Sequence, residues 1–355
     1  VATLRDVARA AGVSHTTVSN AYRRPDKLSA AVRERVLETA HALGYPGPDP
    51  LAAGLATRRV GAVGVLFTEA LSYAFTDPAA ALFLQGVAGT GGLAEAGLTL
   101  IPAPPESAEA GPASGDAVRR AVVDGILAYS LSDGHPALLA ARARALPLVV
   151  VDEPEPGDGE AFIGVDDRDG ARQAAAHLAA LGHRNVAVLA DRLAADGRSG
   201  PADRTRLAAA TFAVARHRLA GYLDAWPGAR PPVVECGGNS AELGRAAALR
   251  LLDVPARRRP TAILAMTDRL AHGVLDAARD LRLAVPDALS VVGFDDLPSA
   301  ADADPPLTTV RQPLIEKGRL AARTLLDLVA RPQTVPEATL LPAELVVRAT
   351  TAPPP

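Results

Sequence analysis

The sequence predicts two parts: an all-α helix-turn-helix head within residues 1–46, and an α/β body of two doubly wound parallel-sheet lobes over residues 60–355. Residues 47–59 form a linker and hinge between them. Three observations carry this reading. Doubled helix caps flank a tight glycine turn near the start of the chain. Short apolar runs alternate with helical stretches from Val60 onward. Charge divides unevenly between the two parts.

A chain of 355 residues is too long for one compact core. With 48% hydrophobic and 22% charged residues it is globular, and with only 3% aromatics its cores are filled by Ala, Leu and Val. No apolar run reaches the roughly 20 residues that a bilayer span needs, so no membrane is expected. VATLRDVARA carries charges inside its apolar stripe, unlike a secretory signal. Cys236 is the single cysteine, which rules out an internal disulfide, a Cys-rich zinc site and a CxxC pair. It reads as a small residue near a strand end, in a protein of the reducing cytoplasm. Residues 1–59 carry nine Lys/Arg against five acids, a net +4, which leaves −7 for the remainder. A basic head on an acidic body points to a polyanionic partner for the head; a solvated basic face is the reading that charge alone leaves open.

Within the head, Thr3-Leu4-Arg5-Asp6 has the form of a capping box. Leu4, Val7, Ala8 and Ala11 follow as the apolar stripe of a short helix. Gly12 stands where the chain must turn with positive φ. Ser14 caps a second helix over residues 14–22, with Val13 and Val18 as its hydrophobic staple. Burying Val18, Ala21 and Tyr22 leaves His15, Thr16, Ser19 and Asn20 outside. A third helix starts near Ser29, places Val32, Val36, Ala40 and Leu43 on one stripe, and stops at Gly44. This is the helix-turn-helix pattern. His15, Thr16 and Asn20 can bond base edges, Asn favouring adenine, while Thr3, Ser14, Thr17 and Lys27 are placed for phosphates. A small bundle that binds protein is the competing reading. After the Pro- and Gly-rich stretch from Tyr45 to Pro50, residues 51–56 can form a helix too short to stand alone.

These residues resemble the head of the lactose-repressor (LacI) family: TLRDVARAAGVSHTTVSN, a third helix ending in LGY, then a linker, over residues 3–59. The resemblance implies a homodimer on palindromic double-stranded operator DNA, its heads in successive major grooves. Paired hinge helices then enter the central minor groove, where a leucine wedges a base step; that leucine falls on Leu55. Two departures stand out. Asn20 replaces a common arginine, which should change the preferred bases. Ala53-Gly54 replaces the usual Arg-Ser, removing a minor-groove cation and weakening the hinge by roughly 1 kcal/mol for Gly against Ala.

In the body, residues 63–67, 98–101, 125–128 and 148–151 are continuous apolar runs, as buried parallel strands should be. Helices are expected near 78–96, 116–122 and 136–145. A second set of strands is read at 162–165, 186–189, 233–235, 262–265 and 290–294, with helices near 168–181, 206–225, 240–253 and 268–283. Two such sets predict two lobes with a ligand cleft at the strand C-termini. The first crossing between lobes is placed at residues 153–160 and the return crossings near 294–325. Stretches at 166–189, 218–225, 267–296 and 307–313 extend the family resemblance, which implies a body like a periplasmic sugar-binding protein.

Polar residues at strand ends and helix starts are the candidates for a small-molecule effector: Asp152, Arg218, Thr267 and Asp295, with Gln312 beside them. Carboxylates accept from hydroxyls and an arginine fork donates to oxygens, which suits a sugar or sugar derivative. Each has a structural alternative: Asp268 as an N-cap, Arg218 paired with a neighbouring acid. Tyr73 and Phe75 lie in a loop where the family packs ligand rings. The histidines His177, His183, His217 and His272 read as structural, so no metal is expected. Arg257, Arg258 and Arg259 read as a solvated cluster at a helix end. Phosphate-cradling and nucleophile-elbow patterns are absent from the required contexts, so neither a cofactor nor an enzyme is expected. The expected function is a cytoplasmic, nucleoid-associated, effector-controlled repressor acting as a homodimer; TTAPPP lacks the heptads that would join dimers into tetramers. A periplasmic binding protein and a sugar-acting enzyme are the rival readings, and neither accounts for residues 1–59.

Overall fold

A computed structural model describes residues 2–48, 59–68, 71–93, 96–104, 113–228, 230–334 and 337–355. It divides into two compact units, Val1–Gly61 and Ala62–Pro355. Leu55, Ala53 and Gly54 lie outside the described residues, as does the side chain of Tyr73.

The head is three helices: α1 (Leu4–Ala11), α2 (His15–Arg23) and α3 (Ala30–Ala42). Thr3 and Asp6 form the capping box in full: the Asp6 amide donates to Thr3 Oγ1 and the Thr3 amide donates to Asp6 Oδ2 at 2.9 Å. Gly12 turns the chain at φ 65°. Ser14 caps α2 by accepting from the Thr17 amide at 3.1 Å, and Ser29 caps α3. Val7, Ala8, Ala11, Val18, Ala21, Val36 and Ala40 make the core, and Tyr22 meets Tyr45 edge-on. Leu43 is a correction. It is 42% exposed, because α3 ends at Ala42 and the chain turns back at Gly44, so Leu43 leaves the buried stripe.

The body opens with β1 (Ala62–Phe67), α4 (Tyr73–Thr76), α5 (Pro78–Ala88), β2 (Gly97–Pro102), α6 (Ala113–Arg120), β3 (Gly125–Tyr129), α7 (Pro136–Ala143), β4 (Leu148–Val151) and β5 (Ala161–Val165). There follow α8 (Asp167–Ala180), β6 (Val186–Ala190), β7 (Gly200–Pro201), α9 (Arg204–Ala208), α10 (Ala213–Asp224), β8 (Val233–Glu235), α11 (Ala241–Leu252), β9 (Ala262–Ala265), α12 (Asp268–Asp280), β10 (Ser290–Asp295), α13 (Pro298–Ala301), β11 (Thr308–Arg311), α14 (Leu314–Ala330), β12 (Ala338–Leu341) and β13 (Glu344–Val346).

Lobe 1 is the sheet β12-β5-β4-β3-β1-β2, parallel throughout. Its central strands β1, β3, β4 and β5 are buried, under α5 and α14 on one side and α6 and α7 on the other, which is why they read as unbroken apolar runs. By contrast β2, expected buried at 98–101, is a half-exposed edge, with Leu98 38% exposed. Lobe 2 is β13-β11-β10-β9-β6-β8-β7, parallel except for antiparallel edge strands β7 and β13. Helices α8 and α10 cover one face and α11 and α12 the other.

Three differences from the sequence reading follow. Residues 162–165 belong to lobe 1, where β5 pairs with β4, so residues 153–160 are not a crossing between lobes. That Pro- and Gly-rich stretch is an irregular link between adjacent parallel strands, pinned where Arg142 donates to both oxygens of Glu160. The chain first crosses at Asp166, returns through Gln312 and Pro313, and crosses again at Pro342 and Ala343, beyond the range expected. Finally, the helix expected over 206–225 is two, α9 and α10, because Thr211 and Phe212 leave helical geometry to reach lobe 1, where the Asp133 amide donates to Thr211 O at 2.9 Å.

Among the described residues no helix is long and apolar enough to cross a membrane. His183 bonds Thr261, Ser290 and the Ala352 carbonyl, and His177 bonds Thr351, stitching the C-terminal segment to lobe 2. Arg259 donates to the Leu252 and Val254 carbonyls at the end of α11. Cys236 is buried just beyond β8, and burial pushes its thiol up to about 12.

Candidate functional site: a charged cleft between two lobes, and a polar helix face

The C-terminal ends of both sheets open on one narrow cleft of about 80 Å³. Asp152, Arg218, Thr267, Asp295 and Gln312 all line it. Phe75 does not: it lies on α4 with 70% of its surface exposed, turned away from the lining, because α4 replaces the expected loop.

Asp152 follows β4 with φ 64°, and Asp295 ends β10 with φ 126°. Non-glycine residues rarely adopt such backbones, and strain of this kind collects at functional sites. It aims both carboxylates off the ends of their strands. Arg218, on α10, is buried; its Nε donates to Asp167 Oδ1 at 2.8 Å and its Nη1 donates to the Met266 carbonyl. The guanidinium lies 3.6 Å from the centre of the Phe294 ring and 3.9 Å from Asp295 Oδ1. The alternative of a structural pairing for Arg218 is therefore present, within a group that still lines the cleft. Burial opposes its charge, but Asp167 and Asp295 outweigh burial and Arg218 stays protonated. Burial raises the Asp295 carboxyl well above its usual range, against the pull of Arg218.

Thr267, not Asp268, is the N-cap of α12: its hydroxyl oxygen accepts from the Leu270 amide at 3.2 Å and donates to Asn239 Oδ1 at 2.7 Å. Asp268 is the first helical residue and is wholly buried, accepting from the Thr309 hydroxyl and the Leu297 amide; burial pushes its carboxyl up to about 7. Gln312 sits on the second crossing and donates from Nε2 to Asp295 Oδ1 at 2.6 Å.

Several cleft residues escaped sequence reasoning. Lys317 is the body's single lysine, 1% exposed on α14, and it donates to both oxygens of Asp152 and to Gln312. Glu153 accepts from Ser130 Oγ at 2.7 Å in lobe 1 and from the Val214 amide at 3.1 Å in lobe 2; burial pushes its carboxyl up to about 7. Asp77, the N-cap of α5, reaches from lobe 1 to Asn239 and Arg269 of lobe 2. A signal existed for Asn239, which follows a strand and precedes the Ser240 cap. None existed for Lys317, whose helix falls after the last element read from the pattern.

In the head, His15 and Thr16 are exposed and Ser19 and Asn20 half-exposed on one side of α2. Lys27 is exposed in a short turn after α2. Three of the four residues assigned to phosphates hydrogen-bond within the head. The Thr3 hydroxyl donates to Asp6 at 2.7 Å, and the Ser14 and Thr17 hydroxyls bond each other at 2.9 Å, leaving one proton free between them.

Residues 3–47 match the model of bacterial regulatory proteins of the lacI family, and residues 175–351 match the periplasmic binding protein-like domain. An HTH-type transcriptional regulator of Corynebacterium glutamicum, IpsA, is 41% identical over 343 residues, covering 95% of this chain and 94% of that protein. The crystal structure of a LacI-family transcriptional regulator from the same species superposes with a TM-score of 0.75 at 37% identity, covering 98% of each chain. A lac repressor dimer solved bound to operator and an anti-inducer superposes at 0.80 with 28% identity, covering 99% of each chain. A cellobiose complex of the regulator CelR superposes at 0.69 with 29% identity, covering 99% of this chain and 100% of that one. Capped helix-turn-helix, two-lobed body and full-length relatives agree: the chain belongs to the LacI family of bacterial transcriptional regulators and is not an enzyme.

Proposed function

We propose that the protein is a repressor that binds palindromic operator DNA as a homodimer, in the cytoplasm at the nucleoid. A polyhydroxylated effector, a sugar or sugar derivative, binds in the cleft and controls the hold on DNA. The observation that carries this is the convergence of Asp152, Arg218, Thr267, Asp295 and Gln312, drawn from both lobes and the crossing between them, on one cleft. Two carboxylates accept from hydroxyls, while a guanidinium and an amide donate to ring or hydroxyl oxygens. That related regulators were solved with cellobiose, and with operator DNA plus an anti-inducer, supports the same pairing of ligands.

In this reading His15, Thr16, Ser19 and Asn20 face base edges in the major groove. Ser14, Thr17 and Lys27 meet phosphates, Thr3 chiefly holds α1 in place, and Leu55 wedges the minor groove. Effector and DNA then shift each other's affinity by the same factor. Selection of bound duplexes from random DNA at physiological salt, with and without a panel of sugars, tests this. Enrichment of a palindrome that one sugar abolishes is expected. Absence of any preferred palindrome rejects the reading, and a palindrome indifferent to every sugar rejects effector control.

A further inference from the structure

Helix α10 presents side chains to two different concavities. Ala215 and Arg218 line the cleft, but Leu219, Ala220 and Leu223 look the other way. With Leu207 and residues 231–233 they form a groove of about 610 Å³ on the outer side of lobe 2, lined mostly by carbon. That volume is within the roughly 300–1,000 Å³ of small-molecule pockets. Open concavities of carbon are uncommon on a protein surface unless something covers them.

The rim is mainly cationic. Arg204, Arg216 and Arg230 all border the groove. Arg216 is committed to Asp133 at 2.6 Å. Arg204 and Arg230 are exposed, and neither has an ion pair among the described residues. The one carboxylate on the rim, Asp203, uses Oδ1 to cap α9 by accepting from the Arg206 amide at 2.8 Å.

We propose that this groove is a second ligand site, distinct from the cleft, for an amphipathic carboxylate: an aliphatic chain of medium length with an acidic head. The chain lies on Leu207, Leu219, Ala220 and Leu223, and the head takes charge-assisted hydrogen bonds from Arg204 and Arg230. A cationic head meets the two guanidiniums that have no ion pair among the described residues, Arg204 and Arg230, and is repelled; a neutral alcohol leaves them unused. Carbon floor and arginine rim together select this class.

The protein has its own reporter. Trp226 is the only tryptophan, and the small cavity it lines shares Arg230, Pro231 and Pro232 with the groove. The full chain is titrated with sodium decanoate below its micelle concentration while Trp226 emission and the thermal midpoint are followed. A saturable, single-site change in both is expected. The R204Q/R230Q double variant should raise the apparent Kd at least tenfold without changing the ligand-free thermal midpoint. Ala220→Gln, which puts an amide on the carbon floor, should raise it as far with both arginines in place, and 1-decanol should bind at least tenfold more weakly. A non-saturable drift with wild-type protein overturns the proposal. So does decyltrimethylammonium binding as tightly as decanoate, or decanoate affinity unchanged in both variants, which would place the ligand elsewhere, the cleft included.

Discussion

Lys317 Nζ donates to Asp152 Oδ1 at 2.8 Å, to Asp152 Oδ2 at 2.7 Å and to Gln312 Oε1 at 2.8 Å. An ammonium has three protons, and all three are taken. Gln312 in turn donates to Asp295, so a polar chain runs from the end of β4 in lobe 1, through the second crossing, to the end of β10 in lobe 2. Both candidate effector carboxylates are thus held by the protein's own donors. Replacing Lys317 by Met leaves Asp152 charged and nearly buried without its counter-ion, which should cost about 3–5 kcal/mol. Adding Asp152→Asn should recover most of that loss. Chemical denaturation of the two single variants and the double variant reads the coupling; additive losses would show that the pair does not act as a unit.

Glu153 makes stability depend on pH in a defined direction. Burial pushes its carboxyl up to about 7, so the folded protein holds a proton that the unfolded chain releases near pH 4.5. Stability from this group is therefore complete at low pH and falls as pH rises through about 7. Glu153→Gln keeps an acceptor for the Val214 amide and turns its NH2 to Ser130 Oγ, which then accepts instead of donating, while the ionisation is removed. It should leave stability near pH 5 little changed and raise it at pH 8, by at most about 3 kcal/mol. Thermal unfolding across pH 5 to 8 checks this; parallel curves for wild type and variant would contradict it.

What the sequence made legible follows from which forces are local. The capping box at Thr3 and Asp6, the Gly12 turn and the strands of the central sheets are set by neighbours within a few residues, so spacing and composition reveal them. Asp152, Arg218, Thr267, Asp295 and Gln312 could be named because strand ends and helix starts face the cleft in any such sheet, and because the family resemblance marked them. The partners could not. Lys317 meets Asp152 across 165 residues and Asn239 meets Asp77 across 162, and no local pattern encodes such pairings. The misplaced crossing has the same origin. A Pro- and Gly-rich stretch at 153–160 signals irregular backbone, but not whether the next strand rejoins the old sheet or starts a new one. The short edge strands β7, β12 and β13 are too brief, and too exposed, to carry a period.

Head residues separate into three classes by what their loss should change. Asn20→Ala should cost about 1–3 kcal/mol on the preferred duplex and relax preference at one base position. Lys27→Ala should weaken all duplexes alike and reduce the salt slope by about 1. Thr3→Ala should lower the stability of the head by about 1 kcal/mol, through its cap on α1, and leave base preference intact. Fluorescence-anisotropy titrations of preferred and random duplexes at three salt concentrations distinguish these outcomes. A loss of base preference in Thr3→Ala would mean that its hydroxyl leaves Asp6 for the DNA.

Asp77 joins two duties that a pair of substitutions can separate. Oδ1 accepts from the Ala80 amide at 3.0 Å and starts α5 in lobe 1, whereas Oδ2 accepts from Asn239 at 3.1 Å and from Arg269 at 3.2 Å in lobe 2. Asp77→Ala removes both, so it should cost about 1 kcal/mol for the cap alone and speed amide exchange in the first turn of α5. Asp77→Asn keeps an oxygen for the cap but gives up the charge facing Arg269, a buried acceptor lost to a cation. Exchange in the first turn of α5 should stay slow in Asp77→Asn, while amides around Asn239 and the start of α12 exchange faster in both variants. If only Asp77→Ala loosens α12, then capping of α5 alone positions the lobes, and the contact across the cleft follows from closure without holding it.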